Sequence, residues 1–559
     1  MLFARFALLL ALAPGASSQV IYVDDSATGV DDGSSWQDAH VDLQSALAGA
    51  VSGTQVWVAE GTYRPTQGLD RQASFVINNN VELYGGFAGN ETLLADRAGL
   101  FSTTILNGDL LGDDGPGFQG RADNSYHLVQ NGGADLRLDG FLLRGGNANG
   151  PTFNQQVGGG LTFIFFFYGS VHNCTFAENE SLAGGGAVHS GLTAVLWENC
   201  TFLNNRTAGV GGALWENSTQ TGTSSFLNCR FHGNRASGGG GGALWSYHSF
   251  LKGCVFTGNS ADGCSQGGGA ILGDGLDLIN CTFYGNSAVG AAQGTGGVLV
   301  DFPRHVSNTI LWGNTDSLGD TQGAQFRARS SAVLDMSHSV IEGYDGSLST
   351  EWNLALDPGF TDPAGADNQL GTLDDQPWLG PLSPCIDAAD LSLLGVAPAN
   401  DVGGQDRIVN ALRCDNPGDV LDMGAYERQA PGSAGQVCAA APTSIGPPVA
   451  LHANCAPSLQ SGQFSVTASA IPPGFAILAA SQHLGRTPFG SGELCLAGPL
   501  IHTPVAINAT GLHTFLLDLS QAPWLAITSG SSWNFQVLLR DFGAGTSHTS
   551  DALRCTFRP

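Results

Sequence analysis

Lysine occurs once in this chain of 559 residues, at Lys252, and charged residues of all kinds make up only 12% of it. The usual share is about a quarter. Bases are scarcer than acids, 21 against 48, which leaves a formal net charge of −27. Such a surface repels phosphate backbones and anionic lipid heads, so nucleic acid and acidic membranes are excluded as partners; what it attracts is cations. Long apolar runs are also missing. Past residue 18 no stretch supplies the roughly 20 uninterrupted apolar residues a membrane helix needs, so no transmembrane segment is expected in the mature chain. Low charge here does not mean disorder, because 42% of the residues are hydrophobic.

What is abundant is glycine, 80 residues of it, and one recurring phrase. Set on Cys174, Cys200, Cys229, Cys254 and Cys281, the phrase repeats at spacings of 26, 29, 25 and 27 residues, the range that marks a solenoid or array. Three positions before each cysteine stands an apolar residue: Val171, Trp197, Phe226, Leu251, Leu278. Directly before it stands Asn173, Asn199, Asn228, Gly253 or Asn280, types that tolerate the positive φ of a sharp bend. Two positions after it comes Phe176, Phe202, Phe231, Phe256 or Phe283, and five after it Asn179, Asn205, Asn234, Asn259 or Asn286. Fainter copies centre on Phe141, with Leu138, Gly140 and Leu143, and on Thr309, with Val306, Asn308, Leu311 and Asn314.

The apolar places do not fall on one helix face. From Cys to the following Phe the period is two, so this run is a strand with both side chains on one face. A bend ahead of the cysteine turns the chain while keeping the apolar side inward. Several short strands per coil, stacked in parallel about 4.8 Å apart, give an all-β, right-handed parallel β-helix. Like residues then stack on like: a Phe column fills the interior, an Asn column passes amide hydrogen bonds from coil to coil, and glycine doublets supply tight turns. Parallel Cβ vectors make a disulfide torsion awkward between neighbouring cysteines, so the Cys column is expected to be reduced thiols acting as small core hydrophobes.

Around this body the chain divides as follows. Residues 1–18, with Arg5 followed by the apolar run from Phe6 to Ala13 and small residues up to Ser18, read as a secretory signal. Residues 19–428 form the β-helix, opened by a cap in which Leu43, Ala46, Leu47 and Ala50 share a helix face and closed by acidic, loop-rich capping coils. A Pro/Ala/Gly/Ser linker spans 429–449, and 450–559 alternate apolar and polar residues as a small C-terminal β-sandwich. Export permits disulfides, for which Cys385, Cys414, Cys438, Cys455, Cys495 and Cys555 are the candidate set; Cys264 has no assignment.

The pairs Phe202 to Asn205 with Gly211 to Leu214, and Phe231 to Asn234 with Gly241 to Leu244, resemble the repeat of polymorphic outer membrane proteins. The opening I-Y-V-D-D from Ile21, the phrase A-E-G-T-Y-R-P from Ala59 to Pro65 and the close D-M-G-A-Y-E from Asp422 to Glu427 resemble secreted bacterial right-handed β-helix proteins. The close is similar to the choice-of-anchor Q class. The C-terminal segment, with W-N-F-Q-V-L-L-R-D from Trp533, resembles a module of planctomycete-type secreted proteins. The last residues are too few for an autotransporter barrel and end in Arg558-Pro559. The resemblance therefore implies a β-helical passenger-like body that is secreted or held at the cell surface or outer membrane.

A pectin-lyase-like solenoid hosts lyases, hydrolases and adhesins alike, so chemistry must be read from side chains. One residue past the Asn column stand Glu180, Arg206 and Arg235, near His232. As a lyase or hydrolase site these would act on an acidic glycan; as an exposed charge ladder they merely offset one another, and no acidic cluster falls in register beside the arginines. Asp109, Asp113 and Asp114 could ligate calcium, the one cofactor the chain offers oxygen ligands for, but their spacing matches no known loop. One residue past the Gly-Gly-Ala-apolar tetrads stand His189, Trp215 and Trp245. If the apolar residue points inward, these form an outward aromatic row suited to stacking on sugar rings. A non-catalytic binder of carbohydrate or another cell-surface ligand is the leading expectation, and a polysaccharide lyase or glycoside hydrolase the alternative.

Overall fold

In the computed structural model of the chain, residues 19–407, 421–428 and 450–556 are described, apart from shorter stretches inside these spans. The proposed signal segment and linker lie outside the described residues. The fold is all-β, a right-handed parallel β-helix of about nine turns with a small C-terminal sheet region. Two compact units divide the chain: the first runs to Ser224 and takes in Asn234–Gly238 and Leu244–Tyr247, and the second holds the rest.

One coil of the first unit shows the plan. Gly169–His172 forms a first face, Thr175–Ala177 a second, Glu180–Ser181 a short third and Val188–Ser190 a fourth. Each pairs in parallel with its equivalent one coil on: Val195–Glu198, Thr201–Leu203, Arg206–Thr207 and Leu214–Glu216. The second unit repeats it, with Ser249–Lys252, Val255–Thr257 and Ile271–Asp274 leading to Asp277–Ile279, Thr282–Tyr284 and Val298–Val300.

The turn before each cysteine is left-handed, with φ of +51° at Asn173, +54° at Asn199 and +51° at Asn280. Asparagine tolerates this conformation better than most residues with a Cβ. The phenylalanines stack as expected within each unit: Phe176 on Phe202 at 5.1 Å in the first, and Phe231, Phe256 and Phe283 at 4.4 and 4.7 Å in the second. All are fully buried, each contributing on the order of 1.5–3 kcal/mol. The asparagine amides run coil to coil, Asn179 to Asn205 at 3.2 Å and Asn205 to Asn234 at 3.0 Å. Each also donates to a backbone carbonyl, as Asn205 does to Phe176 at 2.8 Å. In the second unit the ladder ends on Gln325, whose Oε1 accepts from Asn314 at 2.7 Å.

At the start of the first unit the helix Leu43–Gly49 is capped by Asp42, whose carboxylate accepts from the Gln44 amide, and buries Leu43 and Ala46. Cys174, Cys200, Cys229, Cys254 and Cys281 are buried, reduced thiols, as the parallel register requires. Cys385 corrects the expected disulfide set: it too is a buried, reduced thiol, packed with Ile310, Val340 and Met423. Cys264, Cys414, Cys438 and Cys455, and the side chains of Cys495 and Cys555, lie outside the described residues.

Beyond the face-two strand Val340–Ile341, the chain of the second unit returns along the outer side of that face. Leu379, Ile386, Leu421 and Met423 cover Ile310 and Val340, and Val402, Ala425 and Tyr426 cover Val255. The bend asparagines hold this returning segment: Asn280 donates to Asp422 O at 3.0 Å, Asn308 to Asp390 O at 3.2 Å and Asn228 to Asn400 O at 3.1 Å. The column before the cysteines therefore turns each coil and also anchors the D-M-G-A-Y-E close.

The C-terminal strands are antiparallel. Ala450–Ala453, Gln463–Ile471 and Gly511–Asp518 make one sheet. Ile501–Ile507, Gly474–Ser481, Ser532–Asp541 and Thr546–Thr556 make a second, and His483–Phe489 pairs with Gly492–Ala497.

Candidate functional site

On face three of the first unit, Glu180, Arg206 and Arg235 lie in register, as their spacing implies. Arg206 Nη2 meets Glu180 Oε1 at 2.9 Å, and its guanidinium lies 3.8 Å from the centre of the Phe118 ring. Both groups of the pair are partly exposed, so the bridge contributes about 0–1 kcal/mol. The pair and the ring together fix the direction of the guanidinium.

His232 does not join them. It sits in the second unit, wholly buried on the outer side of face two, where Nδ1 lies 2.6 Å from Thr257 Oγ1. Thr257 in turn donates to Asp375 of the returning segment at 2.5 Å. Burial, helped by the nearby Arg230 charge, pushes the imidazole down to about 3, so it is neutral at physiological pH. This chain of contacts ties the returning segment to face two and has no access to a substrate.

The acidic loop regroups. Asp109, Asp113 and Asp123 bring carboxylate oxygens within 4.8 Å of one another, while Asp114 turns to Arg121, 3.3 Å away, and to Asn124, 3.0 Å away. Asp109 uses Oδ1 to accept from the Gly112 and Asp113 amides and Oδ2 from Asp114 N. Those bonds give the cluster a turn-holding role without any ion.

Face four carries the aromatic row. Val188, Leu214 and Leu244 are fully buried and stack in register, so the residue that follows each of them faces outward. His189, Trp215 and Trp245 are those residues, half-buried rather than freely exposed. His189 lies 4.8 Å from the Trp215 ring and Trp215 lies 6.1 Å from Trp245, edge to face. Two further rings extend the row and were not legible from the repeat: Tyr247, 4.6 Å from Trp245, and Phe153, 6.1 Å from Trp215 and 56% exposed. Phe153 comes from the short 3₁₀ helix Phe153–Gln156, two coils before Trp215 and outside any repeat position. The indole Nε1 of Trp215 is buried without a hydrogen-bond partner. Toward the start of the chain the same outward register continues through Thr162 and Gln130 to Val76, none of them charged. Burial, and to a lesser degree the nearby His127, pushes His189 down to about 4, which keeps the row neutral at pH 7.

Behind the row, Glu216 points inward and its carboxylate accepts from the hydroxyls of Ser224 and Ser246. These bonds hold the strand Leu214–Glu216 against its neighbours and set the direction of Trp215.

Residues 140–288 match the family model described as right handed beta helix region. No curated protein sequence matches the chain. Similar solved structures include the pectate lyase Pel9A, at 14% identity and a TM-score of 0.38 over 74% of this chain and 98% of that one. A rhamnogalacturonan lyase aligns at 13% identity and 0.34, covering 64% and 96%. The deglycosylated pectin methylesterase of Aspergillus niger aligns at 13% and 0.26, covering 61% and 91%. The strand register, the stacked Phe and Asn columns and the matched region agree: the chain is a right-handed β-helix repeat protein.

Proposed function

We propose that this chain is an exported, non-catalytic β-helix protein that binds carbohydrate outside the cell or at its surface, and that the row His189, Trp215, Trp245 is its binding strip. The observation that carries the reading is an uncharged, outward aromatic row on a chain of net charge −27. Indole rings offer sugars an apolar face at low entropic cost. An acidic glycan would be repelled by the surrounding charge, so the ligand class is a neutral polysaccharide. Export follows from the proposed signal in residues 1–18. The ion-paired Arg206 and the buried His232 support the non-catalytic side of the reading.

Affinity electrophoresis of the mature protein through gels containing neutral polysaccharides, with acidic pectins and alginates as comparison, tests this. Retardation by a neutral polymer, reduced in Trp215→Ala and without release of new chain ends, is the expected result. Cleavage of an acidic glycan that disappears in Arg206→Ala or Arg235→Ala would establish the enzymatic alternative instead.

A further inference from the structure

The returning segment of the second unit lines an open cavity of about 450 Å³, near the small end of the range of about 300–1,000 Å³ typical of ligand sites. One wall is Trp378, on the strand Trp378–Leu379 that pairs antiparallel with Phe360–Thr361. Trp378 is 53% exposed and meets the Tyr426 ring edge to face at 6.3 Å. The opposite wall is polar and fixed. Asp401 accepts from the Gln405 amide at 2.8 Å and from the Glu427 amide at 2.9 Å. Glu427 accepts from Asp422 N at 3.1 Å, and the Arg428 guanidinium donates to Leu379 O at 3.1 Å.

We infer that this cavity binds a single neutral sugar residue, with Trp378 as the platform for its apolar face and Asp401, Gln405 and Arg428 as partners for its hydroxyls. An amphipathic ring of this kind matches one aromatic wall facing a wall of fixed donors and acceptors. The volume accommodates one sugar ring. The charge balance selects against a uronate: burial and the neighbouring Asp422 push the Glu427 carboxyl up to about 11, so it is protonated at pH 7. Asp401 and Arg428 then offset each other, and an added anion gains no net attraction. The site shares no residue with the aromatic row of face four, so each reading stands or fails without the other.

Saturation-transfer NMR of the full chain with methyl glucoside, methyl galactoside and methyl mannoside, and with galacturonate as the charged comparison, tests the inference. At least one neutral glycoside should show saturable transfer with a Kd on the order of 1 mM, the weak affinity that one stacked ring and a few hydrogen bonds supply. Trp378→Ala should weaken it about tenfold or more, while Trp352→Ala, which removes another exposed indole, should leave it unchanged. Because Trp378 is half exposed, its loss should leave the melting temperature near that of the parent chain. Absence of saturable transfer from all three glycosides, equal affinity in Trp378→Ala, or tighter binding of galacturonate would overturn the inference. Loss of polysaccharide retardation in Trp215→Ala with monosaccharide binding intact would be read on the row alone.

Discussion

Replacing Asn205 with alanine removes the middle of the amide ladder without touching any proposed binding residue. Asn205 is fully buried, and its Oδ1 accepts from the Asn179 backbone amide at 3.0 Å and from Asn179 Nδ2 at 3.2 Å. Its Nδ2 donates to Phe176 O at 2.8 Å and to Asn234 Oδ1 at 3.0 Å. In the variant the Asn179 N–H loses its acceptor in a dry interior, which costs about 1–3 kcal/mol. The bonds lost at Phe176 and Asn234 add roughly 1 kcal/mol, for a total of about 2–4 kcal/mol. Arg206→Ala, at the next position, breaks a partly exposed ion pair and should cost no more than about 1 kcal/mol. Urea unfolding followed by circular dichroism compares the two directly. If Asn205→Ala proves no more destabilising than Arg206→Ala, the asparagine column is not what satisfies the coil's buried backbone, and the reasoning is wrong.

The thiol column makes a second prediction. In the native protein, alkylation followed by peptide mapping should leave Cys174, Cys200, Cys229, Cys254, Cys281 and Cys385 unmodified, since all are buried and burial pushes Cys385 up to about 12. Denaturation without reductant should make all six reactive; resistance at that stage would reveal a disulfide. Glu427 makes a third. Its folded value, raised from 4.5 to about 11, means that the native state keeps a proton the unfolded chain gives up above pH 4.5. The stability it contributes is therefore full below about pH 4.5 and is lost as pH climbs toward 11. Glu427→Gln keeps a neutral group and should flatten the decline in unfolding midpoint between pH 7 and pH 9; an unchanged slope would show that the carboxyl is ionised in the fold.

The scaffold was legible because it is periodic. Stacking puts residue upon residue, so a Phe two places after each Cys and an Asn five places after it report the same physical site again and again. Even the degenerate copy at Leu138, Gly140 and Leu143 takes its place, opposite Val171 and Phe176. Contacts that do not repeat were hidden. Asn280 reaches Asp422 across 142 residues, and nothing in the local pattern of either residue announces it. The returning segment, its cavity and the burial of His232 all depend on such contacts. In the acidic loop the sequence brought together Asp109, Asp113 and Asp114, but a turn swings Asp114 to Arg121 and brings in Asp123 instead. Alternation left the direction of Trp215 and Trp245 open, and it is the burial of Leu214 and Leu244 that turns them outward; their partial cover was hidden because Phe153 arrives from a non-repeating segment.

The central claim is that the constant positions build the solenoid and the outward aromatics of face four bind glycan. It is tested most directly by the double variant Trp215→Ala/Trp245→Ala, assayed against the neutral polysaccharide that retains the parent protein. Loss of two stacked rings, at about 0.5–1.5 kcal/mol each beyond their buried area, predicts affinity weakened about tenfold or more, with the circular dichroism spectrum of the β-helix unchanged and the polymer intact. Undiminished binding by a folded double variant, or shortening of the polymer by the parent protein, would contradict it.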